Sequence, residues 1–452
     1  MRNEARATVK LAVPIIIGEL AQMALHIIDT AMVGAIGYQQ LAAAALVMNV
    51  LNIPFVLGIG MTISVSQLVS MAHGQKNAGA VSHYLFNGFI LCTITAIIIS
   101  LILIAGHNVL LHLDQDPEVA KLAVPFLKIM GFSIIPMLLF MTLKQFADGL
   151  ELTKTAMLFS LLALPVNAFL NWLLIYGNWG FPRLELLGAG WATLITRSFI
   201  FLCLLIIILR HPTFQQYIAV RKQQWHLRWK TWVELLNIGV PSSLQIGMEA
   251  GAFAVSGIII GTISAVAQAA HQIALSCASF TFMASMGLAQ AGSIRVSNAY
   301  GRNDWNKIYL IGKSTLIISL LYGSLCAVGF ALFRNELPQL FNKNASVLSL
   351  AGLLLLFAAV FQISDSTQAI GAGLLRGIKD VKTPTVLIGV AYWVIGLPVG
   401  LLLTFQFNMG PGGIWTGLII GLTAASLLLI KRFLKMSRLK IGEKEVYTLH
   451  EQ

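Results

Sequence analysis

The sequence predicts an all-α polytopic membrane protein: twelve transmembrane helices in two six-helix bundles, related by an internal repeat around a central cavity. Three observations predict it. The 452 residues are 57% hydrophobic and only 11% charged, with a mean hydropathy of +0.80, where soluble domains carry roughly 25% charged residues. Apolar stretches long enough to cross a bilayer as helices recur from end to end, whereas barrel strands would alternate polarity over about ten residues. The two halves also align with each other.

The spans fall near residues 7–33, 42–72, 82–105, 119–147, 155–177, 187–209, 232–260, 267–299, 307–332, 346–375, 383–406 and 412–433. An even number puts both termini on one side. Loops after the odd-numbered spans hold only Arg183, Arg334 and Lys343. The remaining loops and the tails hold Arg2, Arg6, Lys10, Lys76, Lys154, Arg210, Arg221, Lys222, Arg228, Lys230, Arg302, Arg376, Lys379, Lys382 and the basic stretch from Lys431 to Lys444. An excess of Lys and Arg marks cytoplasmic loops, so both termini are expected in the cytoplasm. The same asymmetry accounts for the net charge of +12; with no basic run interleaved with aromatics, nucleic acid is not an expected partner. The four cysteines lie in apolar segments and behave as small hydrophobes. The N-terminal stretch "MRNEARATVK" leads into a span with no cleavage site, so no removable signal peptide is expected.

The longest polar connection divides six spans from six. The expected domains are therefore an N-terminal bundle (1–210), a basic cytoplasmic linker (211–231), a C-terminal bundle (232–435) and a cytoplasmic tail (436–452). Within the linker, "YIAVRKQQWHLRW" reads either as a short amphipathic helix on the inner surface or as a plain basic connection. The repeat is carried by punctuating residues. "AVPIIIGELAQMALHIIDTAMVGAIG" from Ala12 aligns without gaps with "GVPSSLQIGMEAGAFAVSGIIIGTIS" from Gly239, matching Pro14 to Pro241 and Gly34 to Gly261. At the same 227-residue offset Gly60, Ser66, Ala72 and Gly74 meet Gly287, Ser293, Ala299 and Gly301. With six spans in each half, the repeats are parallel, as in transporters built from two bundles.

An ionisable group at bilayer depth costs about 2.5–3.5 kcal/mol and marks function by default. Asp29 shares one helical face with Gln22 and His26. Glu249 lies in a polar stripe of Ser242, Gln245 and Ser256, a face too costly to turn to lipid. Asp365 sits in "VFQISDSTQAIGAG" between Gln362 and Gln368, with the small polar neighbours that a hard cation prefers. Glu19, ten residues before Asp29, either lines the same cavity or pairs with a polar group at mid-membrane. Pro14, Pro54, Pro136, Pro165, Pro241, Pro384 and Pro398, within or at the ends of spans, allow kinks.

Taken together, "IDT-x-M-x-G" at the end of span 1, "LN" followed by "W-x-x-I-Y-G" at 170–177, "AAHQ" at 269–272, "RGIKD" at 376–380 and "Y-W-x-x-G-L-P-x-G" at 392–400 resemble the multidrug and toxic compound extrusion (MATE) transporters, over nearly the whole chain. The acids Asp29, Glu249 and Asp365 match the three membrane acids of the family's NorM-type bacterial branch. The resemblance implies export of organic cations and amphiphilic drugs from the cytoplasm across a bacterial inner membrane, coupled to Na⁺ or H⁺, with no cofactor. It further implies a monomer whose partners are small-molecule drugs and membrane lipid. It places the coupling cation (Na⁺ being one candidate) at Glu249 and Asp365, and protons or drug at Asp29 with Asn167, Asn171 and Thr193. Where the family often carries a tyrosine, this chain has Phe361; Glu19 has no family counterpart.

Other classes fit less well. No H-E-x-x-H or G-x-S-x-G motif points to an enzyme, and "IGKST" at 311–315 has Lys307 where a P-loop requires its first glycine. A flippase for lipid-linked precursors shares the two-bundle plan but needs cavity cations for pyrophosphate, for which Arg197 and Arg295 are the candidates. A channel would need a selectivity-filter segment, and none is evident.

Overall fold

The computed structural model describes residues 1–112, 116–219 and 224–450, without the side chains of 112 and 444–450. All regular elements among them are helical, and twelve helices are long and apolar enough to cross a membrane. They are α1 Arg2–Gly34, α2 Tyr38–Gly74, α3 Ala78–Ala105, α4 Pro117–Gly149, α5 Thr153–Tyr176, α6 Leu186–Arg210, α7 Trp229–Ile263, α8 Ala265–Gly301, α9 Trp305–Leu332, α10 Ala345–Gly377, α11 Lys382–Phe405 and α12 Pro411–His450. The last runs well past the expected end of its span, into the segment read as a tail; Lys440 and Glu443 pair across one turn there at 2.6 Å.

The repeat reappears as identical turns. The helices α2, α4, α8 and α10 each end in glycine, and two residues later comes a left-handed residue: Lys76, Glu151, Asn303 and Lys379, with φ of 56°, 63°, 55° and 63°. In each turn the next N–H donates back to a carbonyl five residues earlier: Asn77 to Ala72, Leu152 to Ala147, Asp304 to Ala299 and Asp380 to Leu375, at 2.9–3.1 Å. This closure satisfies carbonyls that a helix C-terminus otherwise leaves open. Asn77 and Asp304, equivalent in the repeat, then cap α3 and α9 by accepting from the N–H groups of Ala80 and Lys307 at 2.9 and 3.0 Å.

The helices gather into two compact units, Ile17–Ser243 and Met1–Ile16 with Leu244–Gln452. The boundaries fall inside α1 and α7, at repeat-equivalent positions, rather than in the 211–231 connection. In the first unit Gly60 of α2 packs on Ser243 of α7; in the second, Gly287 of α8 packs on Ile16 of α1. A side chain at either glycine would occupy the neighbouring helix, the close approach by which membrane helices pack without a hydrophobic driving force.

The connection before α7 begins with a helix at Pro212–Ile218. Arg221, Lys222 and the middle of the "YIAVRKQQWHLRW" stretch lie outside the described residues. Beyond them, residues 225–228 are not helical; they are tied to α3, where Trp225 Nε1 donates to Ser82 Oγ at 3.0 Å and Asn87 Nδ2 to the carbonyl of His226 at 3.1 Å. In α11 the helix widens into a π-helical stretch at Val390–Gly396. Pro398 follows it: its ring lacks an N–H and crowds the carbonyl four residues back, which loosens the turn at Val394.

Candidate functional site

Asp29 lies in the last two turns of α1, half-buried. Asn171 Nδ2 of α5 donates to its Oδ1 at 2.6 Å, and Thr193 Oγ1 of α6 to its Oδ2 at 3.3 Å. Asn167, one turn before Asn171, accepts from the same amide at 3.0 Å. The four residues matched by resemblance thus form one cluster. The Asn167 Nδ2 and Asn171 Oδ1 atoms are buried without a protein partner, so the cluster keeps one donor and one acceptor uncommitted. Arg197, one turn beyond Thr193, donates to Ser133 Oγ at 2.7 Å and interacts electrostatically with Asp29. Gln22 is half-buried and His26 exposed on the same helix; neither hydrogen-bonds the cluster.

Glu19 does not join Asp29. It meets Lys144 of α4, whose Nζ lies 3.0 Å from Glu19 Oε1 and 3.4 Å from Asp148 Oδ2. Of the two readings open for Glu19, the structure selects pairing. Lys144 and Asp148 are absent from the candidates read in the sequence, although a lysine inside an apolar span four residues before an aspartate is a visible signal.

In the second unit, Glu249 of α7 accepts from Tyr392 Oη at 3.4 Å. Tyr392 is fully buried and lies on the π-helical stretch of α11; such stretches are frequent at functional sites. A phenol hydroxyl is therefore present beside the acid even though Phe361 stands where the family often has tyrosine. Phe361 instead packs edge-on with Phe253 and Trp415, at ring separations of 5.8 and 5.6 Å. Arg376, read from sequence as a loop charge, lies in the last turn of α10; it interacts electrostatically with Glu249 and donates to Gln245 Oε1 at 3.4 Å. Gln245 in turn donates to Thr385 Oγ1 at 3.2 Å, while Ser242 and Ser256 of the same stripe are buried with no hydroxyl partner.

Asp365 of α10 is 3% exposed, interacts electrostatically with Glu249, and receives no hydrogen bond among the described residues. Its neighbours face elsewhere: Ser364 meets Thr423 at 2.8 Å, Ser366 meets Ser319 at 2.9 Å, and Gln362 donates to the carbonyl of Ala278 at 3.4 Å. The amide oxygens of Gln362 and Gln368 are buried and unpartnered. Two carboxylates and a phenol from α7, α10 and α11 therefore interact with one another; oxygen ligands are what a hard cation takes, and either acid alone is a proton acceptor.

Twelve membrane helices in repeated halves, with an acid-centred polar cluster in each, define a multi-pass membrane transporter rather than an enzyme. Comparison with known proteins makes the class specific. The chain belongs to the MatE family: its model matches residues 14–173 and again 241–402, the second match starting at the repeat equivalent of the first. A "Probable multidrug resistance protein NorM" of Rhizobium meliloti (strain 1021) is 36% identical over 438 residues, covering 96% of this chain and 94% of that one. "Multidrug resistance protein MdtK" of Yersinia pseudotuberculosis serotype O:1b (strain IP 31758) is 33% identical over 434 residues, 95% of each chain. Among solved structures, the eukaryotic MATE transporter AtDTX14 superposes with a TM-score of 0.86 at 20% identity, covering 98% of this chain and 99% of that one. An outward-facing multidrug resistance MATE family transporter of the MOP superfamily gives 0.89 at 18% identity, covering 97% of each.

Proposed function

We propose that this protein is a cation-coupled multidrug antiporter, exporting organic cations and amphiphilic drugs against inward flow of Na⁺ or H⁺ by alternating access. It does so as a monomer in a bacterial cytoplasmic membrane, with both termini in the cytoplasm. The observation that carries the proposal is the Asp29 cluster: a membrane carboxylate held by two side-chain donors, Asn171 and Thr193. A lipophilic cation leaving water needs such a partner, because an unpaired charge in a low-dielectric interior is prohibitive. Those donors orient the carboxylate toward the incoming cation and stay bonded to it when the drug binds. A proton or Na⁺ that neutralises the acid, or an acid linked to it, then favours release.

Glu249 and Asp365 supply a second site, for the coupling cation, with Tyr392 as its hydroxyl, while Gln22 and His26 share the face of α1 with Asp29. The multidrug-resistance names of the relatives support the substrate class. The flippase alternative gains nothing from Arg197 and Arg295, which are engaged by Ser133 and by Glu4 with Thr8. Asp29→Asn, Glu249→Gln and Asp365→Asn are each expected to abolish drug resistance at normal expression; full efflux in all three overturns the proposal. Efflux from proteoliposomes under a Na⁺ gradient, then under a pH gradient alone, identifies the coupling ion.

A further inference from the structure

Away from the Asp29 cluster, the Ile17–Ser243 unit holds three charges around one buried point. Lys144 is 2% exposed and Asp148 1%, whereas the Glu19 side chain is 23% exposed. Two carboxylates share one ammonium, leaving one negative charge in excess. Asp148 Oδ1 is buried with no hydrogen-bond partner, although Lys144 reaches its Oδ2. Asp148 also lies in the last turn of α4, where the helix dipole opposes an anion.

Among the described residues the surroundings supply no counter-charge. Lys144 and Asp148 interact electrostatically there only with each other and with Glu19. From α5, Ser160 Oγ lies 3.7 Å from the point where a Cβ on Gly18 would stand, with Lys144 Cε of α4 at 3.9 Å, and the Ser160 hydroxyl is buried without a partner. From α2 the backbone carbonyl of Ser66 approaches Gly149. The Cys92 thiol of α3 meets Thr142, and α6 sends Arg197 to Ser133, a different level of α4. The Pro212–Ile218 helix lays Phe214 on Phe146, with His211 and then His73 and Tyr217 in ring contacts beyond it.

We infer that Glu19, Lys144 and Asp148 form a one-proton site, distinct from Asp29, in which Asp148 carries the proton while Glu19 holds the lysine. A proton is favoured over Na⁺ because the ammonium already occupies the position between the carboxylates and repels a second metal-like charge. Binding forms an O–H bond at Asp148 from a solvent proton; Lys144 stays an ammonium throughout. Lys144 and Asp148 ride one helix, four residues apart, and Glu19 rides another. Withdrawal of Glu19 with α1 gives the ammonium wholly to Asp148, whose O–H bond breaks and returns its proton to solvent. The position of α1, which also carries Asp29, is thereby linked to one proton.

The test uses the purified full chain without drug or gradient, so failure of the transport proposal leaves it untouched. Infrared difference spectra across the acid-to-neutral range read the carbonyl stretch of protonated carboxyls. The unmutated protein is expected to show a band that is lost in Asp148→Asn, lost also in Glu19→Gln although Asp148 is intact, and retained in Asp29→Asn. The glutamine keeps an oxygen for Lys144, and melting curves check the fold. A Glu19→Gln band equal to that of the unmutated protein overturns the shared site, as does its persistence in Asp148→Asn. Should neither variant fold, carbon-13 labelling of aspartate carboxyls in the Asp29→Asn, Asp365→Asn background shifts the band if Asp148 carries the proton; an unshifted band refutes it.

Discussion

Replacing Asn171 by alanine tests whether the Asp29 cluster works as a unit. The substitution removes one amide that donates to Asp29 Oδ1 at 2.6 Å and to Asn167 Oδ1 at 3.0 Å. A hydrogen bond to a charged group contributes about 1.5–3 kcal/mol, and about 1.4 kcal/mol is tenfold in an equilibrium. Losing the shorter bond should lower the initial efflux rate of a fluorescent organic cation at limiting concentration by about 10- to 100-fold. Thr193, at 3.3 Å, should matter less. The assay is a double-mutant cycle in proteoliposomes with Asn171→Ala, Asp29→Asn and the pair. If Asn171 acts through Asp29, the double variant is no slower than Asp29→Asn alone, since the carboxylate that Asn171 positions has gone. If the two effects multiply instead, Asn171 acts independently and the reasoning fails.

Three further outcomes follow from other contacts. Tyr392→Phe removes the 3.4 Å hydroxyl contact to Glu249 and should cost about 0.5–1.5 kcal/mol of cation binding, read as a smaller Na⁺-dependent melting shift with the unliganded melting point unchanged. Gly373→Ala places a Cβ 2.8 Å from the backbone oxygen of Ala289, while Gly329→Ala meets nothing within 4 Å; the first should destabilise by about 1–3 kcal/mol and the second should not, by thermal melting in detergent. Lys76→Gly relieves a left-handed residue at φ 56°, where a side chain costs roughly 1–2 kcal/mol, so the melting point should rise.

The twelve helices and the repeat were legible because both are written in local features: apolar runs of bilayer length, and Pro and Gly at fixed offsets. The offset that matches Gly74 to Gly301 reappears as equivalent turns at Lys76 and Asn303, since a helix end is fixed by nearby backbone hydrogen bonds. Asp29, Glu249 and Asp365 were visible for a similar reason: a carboxylate in an apolar span is conspicuous without knowledge of its neighbours. Asn167, Asn171 and Thr193 were different. They lie about 140–165 residues from Asp29, and only resemblance to a family connected them before the fold did.

What the sequence by itself determined, then, is the inventory: how many helices, how the halves correspond, and which acids enter the membrane. Tertiary structure decided the partnerships. It gave Glu19 to Lys144 rather than to Asp29, moved Arg376 from a loop to the neighbourhood of Glu249, and set Tyr392 beside that acid where Phe361 has no hydroxyl. The physical reason is that charge inside a membrane is satisfied across helices. Periodicity along one helix fixes which face a side chain occupies, but not which residue of another helix meets it.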